Sequence, residues 1–221
     1  MEGVPPRTTL LVALGVCLIS GTTGEVIQAT CAVEVNSATE PAERQNVTGS
    51  VVLQQDEEDG NTVLTLSLSG FNTTDGNNEH GFHVHSNGDL SNGCQSTGSH
   101  YNPTNFNHSG PTDNYRHVGD LGNIMEDANG AVSTSINDSV VSLRGTYSVI
   151  GRALVIHAMR DDLGKGNDTG SITTGNAGAR LACCVIEASK AGLSTHYTHL
   201  SLLLACLALT WLPLTRHSGN I

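Results

Sequence analysis

Apolar and polar residues alternate along Cys31-Ala32-Val33-Glu34-Val35 and Leu64-Thr65-Leu66-Ser67-Leu68, with the period of two that a half-buried strand requires. Shorter apolar runs at Val51-Val52-Leu53, Val140-Val141-Ser142-Leu143 and Leu154-Val155-Ile156 predict further strands. Turn signals separate them: Asp59-Gly60-Asn61, Asn129-Gly130, Arg144-Gly145 and Ile150-Gly151. No stretch between residues 25 and 189 carries a helical stripe. The pattern therefore predicts an all-β domain, a sandwich or barrel of antiparallel strands. Residues 86–119 and 158–179 are too long and too polar for hairpin turns, so both are expected to be functional loops.

The two ends break the pattern. Residues 8–19 form an apolar run after Arg7, followed by small residues from Ser20 to Gly24, which predicts a signal peptide over 1–24. Leu200 to Leu214 is again apolar but short of the roughly 20 residues that a spanning helix needs. Ahead of it stand Ser189-Lys190-Ala191 and a spacer from Gly192 to His199, the layout of a glycolipid-anchor signal, with Ser189 as the attachment residue. The polar end TRHSGNI keeps a short signal-anchor or a docked tail helix as the alternative. Residues 190–221 would be removed on maturation, leaving 25–189 as one domain at the cell surface, tied to the membrane by a lipid.

That domain holds 20 acidic and 7 basic residues, a formal charge of −13, which argues against nucleic acid as a partner. Sequons at Asn46, Asn72, Asn107, Asn137 and Asn167 fit passage through the secretory pathway, although Asn107 abuts His108. Four cysteines remain: Cys31, Cys94, Cys183 and Cys184. An oxidising compartment favours two disulfides. Neighbours on a strand point to opposite faces, so Cys183 and Cys184 each pair with one of the other two. Two pairings fit, and one bridge plus two buried thiols is the alternative.

Candidate chemistry is concentrated in the middle of the chain. His83, His85, His100, His108, His117 and Asp120 fall in one segment, and His157 ends the apolar run at 154–156. In Gly81-Phe82-His83-Val84-His85, the period of two sends Phe82 and Val84 to one face and both histidines to the other. Imidazoles and a carboxylate crowded in this way suit copper and zinc. A zinc hydrolase is disfavoured, since no HExxH element is present.

Over most of 31–187 the chain resembles the copper/zinc superoxide dismutases. The likeness rests on Gly81-Phe82-His83-Val84-His85, Gly93-Cys94, His117-Val118-Gly119-Asp120-Leu121-Gly122-Asn123, Asp161-Asp162-Leu163-Gly164-Lys165-Gly166, Gly175-Asn176-Ala177-Gly178 and Arg180-Leu181-Ala182-Cys183. It implies an eight-stranded antiparallel Greek-key barrel and the conversion of superoxide to dioxygen and hydrogen peroxide. It also implies copper on His83, His85, His100 and His157, and zinc on His100, His108, His117 and Asp120. His100 would bridge the two ions and serve catalysis, Asp161 would link a copper histidine to a zinc histidine, and Arg180 would receive the anion. Cys94 would pair with Cys183, leaving Cys31 for Cys184. Thr173 stands where many relatives carry a lysine, and Thr169 and Gly170 replace acidic residues, so weaker steering of superoxide is expected. Ile150, Gly151 and Val185 keep the family's homodimer face, while Asn87 and Ala188 alter it. A surface glycoprotein that binds copper and zinc without catalysis is the rival reading.

Overall fold

The computed structural model describes residues 26–40, 45–56, 60–74 and 76–189; the predicted signal peptide, the hydrophobic tail and Asp59 of the first turn lie outside them. The main strands are β1 (Ile27–Val35), β2 (Thr48–Gln55), β3 (Thr62–Ser69), β4 (Glu79–His85), β6 (Asp120–Met125), β7 (Ala131–Asp138), β8 (Ala153–His157) and β9 (Arg180–Val185). Two short strands complete the set, β5 (Ser91–Cys94) and β10 (Glu187–Ala188), the latter pairing with β1.

These eight main strands run in the order β6-β4-β8-β9-β1-β2-β3-β7, with every strand pairing antiparallel. Strands β6 and β7 stand at the two ends of that order, joined by a turn in which Gly130 N donates to Asp127 O at 3.0 Å. The result is a nearly closed barrel, with Greek-key connections where β4 sits between β6 and β8 and β3 sits beside β7.

Alternation explains the core. Ala29, Cys31 and Val33 of β1, Val51 and Leu53 of β2, and Leu64, Leu66 and Leu68 of β3 fill the interior, while Thr65 and Ser67 face solvent. Strand β4 is buried on both faces: Phe82 and Val84 join the core, and loops cover His83 and His85. Cys184 points into the core and Cys183 away from it, and the bonds are Cys31–Cys184 and Cys94–Cys183.

Two expectations are corrected. Val140–Leu143 is not a strand; apart from a single bridge, Ser142 to Ser148, it is irregular. Side chains there replace a strand partner: Asp138 Oδ1 accepts from Val140 N and Val141 N at 2.8 and 2.7 Å, and Gln55 Oε1 accepts from Leu143 N at 2.8 Å. Val141 and Leu143 still enter the core as isolated pegs. The second loop also contains a helix, α1 (Thr169–Thr174), which six residues are too few to announce by periodicity. Asp168 caps its start by accepting from Ser171 N, and Gly175 ends it in the left-handed region at φ 66°. The first loop holds β5 and a 3-10 turn at Gln95–Thr97.

Candidate metal centre

Four structural elements bring the predicted ligands together. His83 and His85 project from β4, His157 ends β8, and Asp120 begins β6. His100, His108 and His117 come from the first long loop, which is zipped to the end of β4: Tyr101 N donates to Val84 O at 2.8 Å and Ser86 N to Ser99 O at 2.8 Å. On the same edge of β4, Val84 N donates to Gly119 O at 2.9 Å. Gly119 permits this approach, since a Cβ there would lie 2.1 Å from Val84 O.

Two overlapping clusters result, His83, His85, His100 and His157 in one and His100, His108, His117 and Asp120 in the other. Within each, the potential ligand atoms all lie within 4.8 Å of one another and every residue is buried. His100 belongs to both.

The atoms turned outward show which atoms are left to face inward. His83 Nε2 lies 2.9 Å from Asp161 Oδ2, and His108 Nε2 lies 2.8 Å from Asp161 Oδ1, so one carboxylate spans the two clusters. His85 Nδ1 lies 2.9 Å from Gly98 O and 3.1 Å from Thr97 Oγ1; His157 Nδ1 lies 3.3 Å from Gly178 O. That leaves Nδ1 of His83 and Nε2 of His85, His100 and His157 for the first cluster. Nδ1 of His83 and Nε2 of His100 are buried with no hydrogen-bond partner. Orphaned buried nitrogens are costly unless something else takes their lone pairs.

In the second cluster Nδ1 of His100, His108 and His117 lie 3.0, 2.9 and 3.1 Å from the single oxygen Asp120 Oδ1. The His108 contact lacks hydrogen-bond geometry, so these atoms are aimed at a common centre. Their separations approach the roughly 3.3 Å expected between tetrahedral ligands about 2 Å from zinc. The donor sets therefore fit copper in the first cluster and zinc in the second.

Electrostatics divide the clusters further. Burial, with His100 next, holds His83 and His85 well below the ordinary imidazole value, and it lowers His157 to about 3. His100 is lowered by burial, against the pull of Asp120. Burial acts the same way on His108, but the carboxylates of Asp120 and Asp161 beside it win and raise it to about 9. Burial would raise Asp120, yet its three histidine contacts hold the carboxyl far below the usual range.

Arg180, at the start of β9, is half-buried beside the first cluster. Its Nη1 donates to Cys94 O and Thr97 Oγ1 at 2.8 and 3.0 Å, and its Nη2 to Gly98 O at 2.7 Å. The Cys94–Cys183 disulfide ties the same loop to β9, and burial lowers the guanidinium pKa.

Sequence reasoning passed over several supporting residues. Asn36 Oδ1 accepts from Cys94 N at 2.9 Å, and its amide donates to Arg180 O at 2.8 Å. Buried Arg116 donates to Asp120 O at 2.7 Å and to Asp138 Oδ2 at 2.5 Å. Asn123 brackets Asp161, accepting from its N at 2.7 Å and donating to its O at 2.9 Å. Apart from the Arg116 bond to Asp120, each acts from a distant point in the chain; only the Asn123 within Gly119-Asp120-Leu121-Gly122-Asn123 lay inside a motif already singled out.

All five sequon asparagines are exposed. A shallow cleft reaches His100 and His117, and its rim includes Asn107, Ile172 and Thr173.

Residues 47–186 match the family model described as copper/zinc superoxide dismutase. Among curated proteins, the chain is 50% identical over 140 residues to the Superoxide dismutase [Cu-Zn] of Yarrowia lipolytica, covering 63% of this chain and 89% of that relative. It is 49% identical over 146 residues to the protein of the same name from Kluyveromyces lactis, covering 66% and 92%. With the one from Candida glabrata, identity is 51% over 140 residues, covering 63% and 89%. A barrel of eight strands, two histidine clusters sharing one ring and a family match over more than half the chain agree: the chain belongs to the copper/zinc superoxide dismutase family.

Proposed function

We propose that this protein dismutates superoxide at the cell surface, with copper on His83, His85, His100 and His157 and zinc on His100, His108, His117 and Asp120. The observation that carries the reading is His100, whose Nδ1 faces Asp120 while its buried Nε2 faces the other three histidines without a hydrogen-bond partner. Bound copper supplies a one-electron couple, by which one superoxide is oxidised to dioxygen and a second, with two protons, is reduced to hydrogen peroxide.

The residues of the chain do the rest. Arg180 presents a pinned, half-exposed cation beside His85 and His157, which selects a small anion. Asp161 holds His83 and His108 in the tautomers that leave Nδ1 inward on both rings. His100 Nε2 is the atom placed to hold a proton and pass it to departing peroxide. Asp120 supplies the negative charge that a dication needs.

Location belongs to the same proposal. A signal peptide over 1–24 and a lipid attached at Ser189 would leave the domain outside the cell, with glycans on Asn46, Asn72, Asn107, Asn137 and Asn167. Ser189 N donates to Gln28 O at 2.9 Å, so a lipid there would tether the barrel directly at the end of β10. A homodimer through Ile150, Gly151 and Val185 is the expected assembly, altered at Asn87 and Ala188, and sedimentation of residues 25–189 tests it.

The activity is tested by exposing the purified domain to both metals, counting each ion and following superoxide decay. One copper and one zinc per chain with rapid decay is the expected result, and a folded domain retaining a single ion overturns it. Release of the protein from intact cells by a phospholipase tests the anchor.

A further inference from the structure

The main chain at His157 pairs with Arg180 of β9, but on its β4 side the sheet stops short of it. The β4–β8 ladder runs from His85↔Ala153 to Phe82↔Ile156 and goes no further, and the β8–β9 register shifts between Ile156 and His157. What meets the His157 carbonyl is a side chain: His80 Nδ1 lies 3.0 Å from it. That imidazole is 1% exposed and packs on the ring of Phe71 with centroids 4.6 Å apart. On its far side, Glu126 Oε2 lies 3.8 Å from His80 Nε2, and the Glu126 side chain is only 3% exposed. A carboxylate seldom sits this deep unless it is paired.

We propose that Glu126 is a positioning residue for copper, acting through His80 on the main chain of His157. This rests on the copper assignment proposed above. With one proton held between Glu126 and Nε2, the ring keeps its other proton on Nδ1, where it is donated to the His157 carbonyl. That carbonyl in turn sets the direction of the His157 side chain, whose Nδ1 is fixed only by the longer 3.3 Å contact to Gly178 O. Neighbouring bonds hold the following residues, since Asn77 Nδ2 donates to Ala158 O at 2.6 Å and Gly81 N to Met159 O at 2.9 Å. On the β4 side, His157 itself is met by His80. Of the zinc ligands only the shared His100 adjoins this chain of contacts, beside the His157 ring, so the effect falls mainly on copper.

The test uses Glu126→Ala, Glu126→Gln, His80→Phe and the double variant Glu126→Ala/His80→Phe, each loaded with both metals. Copper and zinc retention against a chelator and the copper(II) electron paramagnetic resonance spectrum are read for each. Glu126→Ala and His80→Phe are each expected to weaken copper retention about tenfold and alter the spectrum, with zinc retention changed by less than about twofold. The double variant should be no worse than the stronger single one, because the residues act in series. Glu126→Gln should recover most of the loss, since its amide still meets His80. An unchanged spectrum in Glu126→Ala, equal loss of both metals, or additive effects overturns the inference. A wild-type protein that retains no copper overturns the assignment beneath it instead.

Discussion

The two halves of the metal centre use the same ring in opposite electrostatic settings. On the copper side, neutral oxygens orient His85 and His157 from behind, Asp161 backs His83 alone, and the cation Arg180 lies beside His85 and His157. On the zinc side, Asp120 faces three imidazoles at once and Asp161 backs His108. The first half therefore keeps its rings neutral and, on the proposed assignment, would suit a metal that changes charge by one. The second favours a dication that stays. On the assignment proposed above, redox and structural roles would follow where carboxylates concentrate, since histidines dominate both halves.

The largest test of that contrast removes the zinc side's charge. Asp120→Asn is expected to lower zinc affinity by on the order of a hundredfold or more, since it deletes an anionic ligand where loss of an outer partner alone costs 10–100-fold. Copper should still bind His83, His85 and His157. Chelator competition for each metal reads both numbers, and equal losses would erase the distinction.

Next in size are the disulfides, which touch the halves unequally. Replacing Cys31 and Cys184 with alanine should cost about 2–5 kcal/mol of unfolding free energy and leave metal retention alone. Replacing Cys94 and Cys183 should cost a similar amount, about 2–5 kcal/mol, and also slow dismutation, because Cys94 O is an Arg180 acceptor. Urea unfolding beside an activity assay separates the two.

The metal-free protein should show opposite pH signatures from the two halves. His83, His85 and His157 have folded values below 6.5, so between pH 6.5 and about 3 the unfolded chain binds more protons. Their contribution is present above 6.5 and lost as the pH falls towards 3. His108 is raised to about 9, so its contribution is full below 6.5 and lost as the pH rises through 9. Unfolding free energy measured from pH 4 to 10 should carry both arms, with His108→Asn removing only the alkaline one.

What the chain reveals in advance follows the same physics. His83 and His85 were legible because strand period places them on one face, and the loop histidines because their density exceeds any need of packing. The motifs of a known family then sorted ligands between ions, which spacing alone does not. Strand β7 was obscure because its outward positions are Ser and Thr and, of its apolar residues, only Val132 is fully buried. Val140–Leu143 misled for the converse reason, an apolar run whose amides are served by Asp138 and Gln55. Contacts such as Asn36 to Cys94 or Glu126 to His80 join residues tens of positions apart, and no local pattern encodes them.

The smallest expected effect concerns how substrate reaches the copper side. Superoxide and the domain are both negative, so the approach depends on local positive charge. Thr173, exposed on the rim of the cleft that reaches His100, supplies none. Thr173→Lys should therefore raise the dismutation rate by about twofold at low salt and steepen its fall with ionic strength. The gain should vanish at about 1 M salt, where the Debye length shrinks to about 3 Å. Because Thr173 lies outside both ligand sets, metal content should not change. A rate for Thr173→Lys equal to the parent's at every salt concentration would mean that Arg180 alone governs capture, with the rim contributing nothing.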